Sequence, residues 1–219
     1  MIDYNFRAPI SRLYDCLFKL ATKDIHVAYR GATQKQVAQA KADRIPASII
    51  TYAKRLNGIH MQWTAHKGGT VFHVHLLPLD KLYGPSREGE IYFGLEGEDP
   101  RLRVYRPLDR FADAASVGLL HDERRSPELY HYNIDDELLP TGVDLPGYFE
   151  LLELTLGWPH WQSLLVQLAS PAGQARPFRV LPDVHGNMID ELLAGLPQLV
   201  PSFSLEQFVA RYDAVKLPR

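Results

Sequence analysis

The stretch DLPGYFELLELTLGWPHWQSLLVQL, residues 144–168, is the most apolar run of useful length in the chain, and it decides the fold. Its apolar residues recur at helical spacing in two groups: Leu145, Tyr148, Phe149, Leu152 and Leu156, then Trp161, Leu164, Leu165 and Leu168. Asp144 can cap the first helix, Gly157 can end it, and Pro159 can open a second. The stretch therefore predicts two helices joined by a tight turn, with both of its tryptophans packed in the core against a sheet.

The N-terminal part of the chain predicts three more helices. An apolar stripe begins near Ser11, which can serve as its N-cap, and includes Cys16 as a small core residue. Thr33 and Gln36 match a capping box for a second helix. Ile45-Pro46 stops that helix, and ASIITYAKRLNG follows as a third helix that Asn57-Gly58 closes.

Between Gly58 and Asp135 the pattern changes to that of strands. Short segments rich in β-branched or aromatic residues follow one another, bounded by turn residues: IHMQWTA, TVFHVHLLPL, EIYFGL, RLRVYRP, SVGLLHD and ELYHYNI. Successive strands without helices between them favour antiparallel pairing. The sequence therefore predicts an α+β fold with a single, mainly antiparallel, twisted sheet flanked by N-terminal and C-terminal helices.

The chain divides into a main domain and an appendage. Residues 1–168 are predicted to form the α+β domain with its N-terminal helical extension. Residues 169–219 are predicted to form a C-terminal helical appendage packed on the same domain. In that appendage Ser204 and Gln207 match a second capping box, for a final helix that runs to about Ala214.

Charge and cysteine content argue against several classes of function. The 219 residues include 24 basic and 26 acidic side chains, mixed along the chain. This balance gives no polybasic footprint, so we expect no direct binding to nucleic acid or to an anionic membrane. The single cysteine excludes an internal disulfide framework, and we see neither a signal pattern nor a membrane-spanning run. We therefore expect a soluble, cytoplasmic protein.

The nearest approach to a metal motif is the pair His73 and His75. Strand alternation places both imidazoles on one face, where two ligands could share a zinc ion with a third from elsewhere. His60, His66 and Asp80 lie nearby in the sequence, but no HExxH motif or second histidine pair completes a site. The pattern favours histidines on a half-polar sheet face. We therefore predict no metal site, with a metal-dependent hydrolase using the pair as the alternative.

Other chemical motifs are missing from the sequence. We find no GxSxG elbow, P-loop or dinucleotide fingerprint, and we expect no catalytic residue and no cofactor. Two acidic segments remain, at residues 88–99 and 135–137. They are typical of solvated loops or of surfaces that steer association with a basic protein. The candidate partner-binding residues are Glu96, Glu98, Asp99, Asp135 and Asp136. Glu150 and Glu153 are expected to face water on the outside of their helix.

The order of several short motifs resembles that of the SUKH superfamily. The blocks are Ala32-Thr33, Ile45-Pro46, Asn57-Gly58, RPLDRF at 106–111, VGLLHD at 117–122, YHYNID at 130–135, GYFELLELTLG at 147–157 and Trp161-Gln162. They cover residues 32–168, and the tail PSFSLEQFVARYDAV is similar to the closing helix of some bacterial members. The superfamily joins yeast cell-wall-synthesis regulators with many bacterial immunity proteins.

The resemblance implies a fold and a function. It implies the α+β architecture already expected from the strand and helix pattern. It also implies a non-enzymatic protein-binding module, in particular an immunity protein that neutralises a cognate toxin by binding it. The partner would be a protein, such as a polymorphic toxin domain. A regulatory scaffold of the same superfamily is the alternative, and the oligomeric state stays open.

Overall fold

The structure is a computed structural model, and it describes residues 5–20, 31–64, 71–83, 98–121, 127–133, 138–170 and 186–218. The α-helices in these ranges are α1 (Arg7–Leu20), α2 (Gln34–Ala42), α3 (Ala47–Arg55), α4 (Leu79–Tyr83), α5 (Leu145–Thr155), α6 (Gln162–Ala169), α7 (Gly186–Leu199) and α8 (Leu205–Val215). The strands are β1 (Ile59–Thr64), β2 (Val71–Leu76), β3 (Tyr105–Asp109), β4 (Ala115–Leu120), β5 (Leu129–Asn133) and β6 (Leu139–Pro140). A 3-10 helix spans Pro100–Arg103.

The six strands form one sheet in the order β1-β2-β3-β4-β5-β6, and every neighbouring pair is antiparallel. Each strand therefore lies beside the one that precedes it in the chain. Helices α1 to α3 come before the sheet in sequence and α5 to α8 come after it, which confirms the predicted α+β class. The short helix α4, between β2 and β3, was not predicted. No helix in the described ranges is long and apolar enough to span a bilayer.

Most of the predicted strand segments form strands, with one shifted start. The segment EIYFGL lies outside the described residues. RLRVYRP begins as the 3-10 helix and becomes β3 only at Tyr105, because Asp99 accepts a hydrogen bond from the Arg101 amide and Pro100 opens the helical turn. The two-residue strand β6 is too short to leave a periodic signal in the sequence.

The predicted helix caps are present, but the first helix begins earlier than predicted. The capping box of Thr33 and Gln36 is formed, Asp144 accepts from the Gly147 amide, and Ser204 accepts from the Gln207 amide. Helix α1 begins at Arg7 rather than near Ser11, because the Asn5 carbonyl accepts from the Ala8 amide and starts the turn upstream. The prediction that Cys16 is a core residue is wrong. The buried side of α1 includes Ile10 and Leu13, and Cys16 is exposed beside them.

Helix α5 occupies the centre of the core, as its apolar sequence predicts. Its side chains Tyr148, Phe149 and Leu151 are fully buried, and it contacts α1, α3 and α8. Residues of α7 and α8 belong to the same hydrophobic cluster, including Ile189, Leu192, Leu196, Phe208 and Tyr212. The C-terminal segment therefore completes the core instead of forming a second one.

The turn between α5 and α6 is fitted against the edge of β2. Leu156 and Gly157 have left-handed backbones with φ of 54° and 72°. A β-carbon at residue 157 would lie 2.7 Å from Val74 Cγ2, so only glycine fits this approach. The Leu156 carbonyl accepts from Trp63 Nε1 at 3.3 Å, and the Gly157 carbonyl accepts from the His73 amide at 3.3 Å. The turn therefore joins the helical layer to the sheet through backbone atoms.

Replacing Trp161 with alanine should lower the free energy of unfolding by about 3 to 5 kcal/mol, because it removes a large buried ring. The indole is 0% exposed and packs 4.9 Å from Tyr148, ring centroid to ring centroid. Urea denaturation measures the loss. The control Tyr14→Ala removes an aromatic ring that is 40% exposed and should change stability by about 0.5 kcal/mol or less.

Fluorescence quenching checks the same assignment without a mutation. Trp63, Trp158 and Trp161 are at most 6% exposed, so acrylamide should quench the native protein weakly and the urea-unfolded protein strongly. Free quenching of the native protein would contradict this packing.

Candidate functional site

A buried carboxylate, Asp109, lies at the junction of the sheet with α5 and α6. Its side chain is 0% exposed at the end of β3. Oδ1 accepts from the His75 amide at 3.2 Å, and Oδ2 accepts from the Tyr148 hydroxyl and from Gln162 Nε2, the latter at 3.1 Å. One side chain thus joins β2, β3, α5 and α6.

The electrostatics of this cluster follow from its burial. Loss of water raises the pKa of the Asp109 carboxyl above its ordinary value, while the hydrogen bonds from Tyr148, Gln162 and the His75 amide oppose the rise. Burial also raises the pKa of the Tyr148 phenol well above its usual range. Among the described residues Gln162 Oε1 has no hydrogen-bond partner. Rotating this amide by half a turn would let Oε1 accept a hydrogen bond from a neutral Asp109 carboxyl.

The Asp109 cluster is closed to solvent, which indicates a structural function. Tyr148 is 0% exposed and Gln162 is 1% exposed. These three residues come from RPLDRF, GYFELLELTLG and Trp161-Gln162, three of the blocks that carry the sequence resemblance. The blocks meet in space, and at this point they hold the core together. A substrate has no access to the carboxyl as the cluster is packed.

The histidines singled out in the sequence lie on the outer face of the β1–β2 hairpin. The strand register pairs His60 with His75 and Gln62 with His73. Alternation turns Ile59, Met61, Phe72 and Val74 into the core and leaves the three imidazoles outside. The ring centroids are 4.9 Å apart for His60 and His75, 5.2 Å for His60 and His73, and 5.7 Å for His73 and His75. His60 is therefore the third imidazole that the sequence did not place.

The remaining candidate metal ligands are in other surroundings. His121 packs against Tyr83, and His131 is buried beside Phe111. His66 lies outside the described residues, and Asp80 is in the first turn of α4. As their side chains are placed, the described residues contain no group of three or more histidines, cysteines and acids arranged to hold a metal ion.

Two of the five acidic candidates, Glu98 and Asp99, are described. Asp99 forms an ion pair with Arg101, with 2.5 Å between the closest atoms, and its side chain is 19% exposed. The Arg101 hydrogen bond holds the pKa of Asp99 below its usual value. Glu98 is half-buried beside it. Glu96, Asp135 and Asp136 lie outside the described residues.

Asp99 and Arg101 both contact the backbone of Leu138. The Arg101 guanidinium donates to the Leu138 carbonyl at 2.9 Å, and the Asp99 carboxylate accepts from the Leu138 amide. Leu138 directly follows the acidic segment Asp135, Asp136 and Glu137 in the sequence. We call the group formed by Glu98, Asp99 and the backbone of the buried Leu138 the acidic corner. No residue spacing in the sequence predicts this contact, since it connects positions almost forty residues apart.

Glu150 and Glu153 are on the outer side of α5, where they form ion pairs with neighbouring helices. Glu153 pairs with Arg12 of α1 at 2.5 Å, and Glu150 pairs with Arg211 of α8 at 2.7 Å. Both carboxylates are about a quarter exposed. They therefore tie helices together at the surface, in an arrangement typical of structural ion pairs.

Comparison with known proteins adds no identification to this geometry. No family model matches the chain, and neither the curated proteins nor the solved structures contain a match. The resemblance to the SUKH superfamily therefore depends on the motifs in the sequence.

Replacing Asp109 with alanine should lower the free energy of unfolding by about 3 kcal/mol, because it leaves buried donors of His75, Tyr148 and Gln162 without an acceptor. The matched control is Asp213→Ala, which removes an exposed carboxylate paired with Lys216. That change should cost about 0.5 kcal/mol or less. Equal midpoints in urea for the two variants would contradict the structural function of the cluster.

The raised pKa of Asp109 also predicts a pH dependence. The folded protein holds this proton more tightly than the unfolded chain, whose carboxyl titrates near 3.8. The corresponding stability is present below that pH and is lost as pH rises through the folded-state pKa. Asp109→Asn cannot ionise. The unfolding free energy of wild type minus that of the variant should therefore fall as the pH rises above about 4, as measured by urea denaturation at a series of pH values.

Proposed function

We propose that this chain is a non-enzymatic protein-binding module, and specifically an immunity protein that neutralises a cognate bacterial toxin by binding it. The observation that supports the proposal is the acidic corner. Asp99 ends one acidic segment, and it contacts Leu138, which directly follows the other acidic segment in the sequence. A binding surface for a basic protein needs this kind of local concentration of negative charge in a chain whose net charge is only -2.

The binding surface would be built mainly from the residues around Asp99. Asp99 itself is paired with Arg101 and shapes the corner. Glu98 and the neighbouring acids Glu96, Asp135 and Asp136 would supply the charge that faces the partner. Such charges accelerate encounter with an oppositely charged surface more than they stabilise the final complex. A toxin that acts on nucleic acid has a basic active site, which makes it a suitable partner for this corner.

The buried chemistry of the core is consistent with function by binding. Burial raises the pKa of the Asp109 carboxyl, and this group is fully enclosed. An acid or base in catalysis must come within hydrogen-bond reach of the group that it protonates or deprotonates. Asp109 instead accepts hydrogen bonds from three elements of its own fold. The sequence blocks that resemble an immunity family thus contribute stability at the Asp109 cluster. Recognition of the partner would then use the surface of the protein.

Reversing two charges should weaken the complex without unfolding the protein. The variant Asp135→Lys with Asp136→Lys should associate about tenfold more slowly or worse at low ionic strength, and the difference should shrink as salt is added. The matched control, Glu206→Lys with Asp213→Lys, makes the same change in net charge at exposed positions of α8. It should bind like wild type.

The measurement needs the native partner. A pull-down from the native cell identifies it, and stopped-flow mixing with the purified partner gives the association rates. Co-expression then tests neutralisation: wild type and the control should rescue growth of cells that produce the toxin, and the double reversal should rescue them less. Unchanged binding and rescue by the double reversal would place recognition elsewhere. A partner that is not toxic would favour the regulatory scaffold.

A further inference from the structure

The outer face of the β1–β2 hairpin holds His60, His73 and His75 at spacings typical of a shared ligand. We call this group the histidine face. The strand register fixes the three backbone positions, since His60 lies directly opposite His75 and His73 is two residues away on the same side. The rings contact one another at centroid distances of 4.9, 5.2 and 5.7 Å.

We propose that the histidine face binds a divalent transition-metal ion of the zinc class through three imidazole nitrogens. A tetrahedral zinc ion lies about 2.0 to 2.1 Å from each nitrogen, which puts the centroids of its histidine rings about 5 Å apart. The three observed separations bracket this value. Three neutral imidazoles suit zinc, copper or nickel, whereas magnesium and calcium require oxygen ligands.

Binding requires the rings to rotate, since the side chains as placed do not form a metal-holding group. The rings of His60 and His73 are 80° apart, and those of His60 and His75 are 36° apart. The torsion about Cβ–Cγ of histidine has a broad energy profile, so ring orientation adapts more easily than the backbone. The hairpin ladder supplies the fixed part of the site, and three protein ligands leave the fourth tetrahedral position for water or an external ligand.

The position of the face allows the ion to enter. His60 is exposed, and His73 and His75 are half-buried. The inference goes beyond the proposed function, because the acidic corner and the histidine face involve different residues.

A zinc titration of the full-length chain without an affinity tag, with isothermal calorimetry as the readout, tests the proposal. Wild type should bind one zinc ion at the histidine face with saturable heat. His60→Gln, His73→Gln and His75→Gln should each weaken this binding at least tenfold, because each removes one ligand. His121→Gln, which removes an imidazole elsewhere, should leave it unchanged. Magnesium in place of zinc should give no binding.

A second measurement avoids any effect of mutation on folding. In NMR spectra of the wild-type imidazole rings, zinc should shift the signals of His60, His73 and His75 together, with saturation at one equivalent. Absence of saturable binding would overturn the proposal. So would equal affinity of the three variants and wild type, or a set of shifted rings that omits these three.

Discussion

The structure depends on the burial of a single carboxyl group among donors from different layers. Asp109 accepts from a β2 amide, an α5 phenol and an α6 amide while its own backbone belongs to β3. Each of these groups would be costly to bury alone, and each is satisfied only when all four elements are in place. Apolar packing supplies most of the driving force for folding. The carboxyl stabilises one arrangement of the helices on the sheet relative to alternative arrangements.

Helix α5 connects the Asp109 cluster to the neighbouring helices. Its inner side provides Tyr148 to the Asp109 cluster, and its outer side pairs with α1 and α8 through Glu153 and Glu150. These surface pairs contribute little free energy, but they select the orientation of the two helices. The acidic corner and the histidine face are formed by other elements. The histidine face is on β1 and β2, at one end of the strand order, while Leu138 of the acidic corner leads into β6 at the other.

The sequence could predict those features that depend on residues only a few positions apart. The caps at Thr33, Asp144 and Ser204 depend on residues three apart, and strand alternation depends on residues two apart, so both leave a readable pattern. The shared outward face of His73 and His75 was predicted for that reason. Their neighbour His60 was not, because it depends on the register of β1 against β2. The Asp109 cluster and the contact of Arg101 with Leu138 join positions tens of residues apart, for which spacing carries no signal. Helical spacing likewise predicted that Cys16 is buried, but its burial depends on which elements pack against α1, and Cys16 is exposed.

The junction between β2 and β3 divides the sheet into two parts. In the described ranges these strands share one register pair, Leu76 with Asp109, whereas β1 and β2 are paired along their whole length. The His73 amide is bound by the Gly157 carbonyl and the His75 amide by the Asp109 side chain, so the gap is closed by a helix turn and a carboxyl. Backbone hydrogen bonds from the Leu77 amide to the Leu108 carbonyl and from the Arg110 amide to the His75 carbonyl also join the two strands at this junction. Hydrogen exchange at the His73 amide consequently reports the docking of the α5–α6 turn, and exchange at the His75 amide reports the contact with the Asp109 carboxyl.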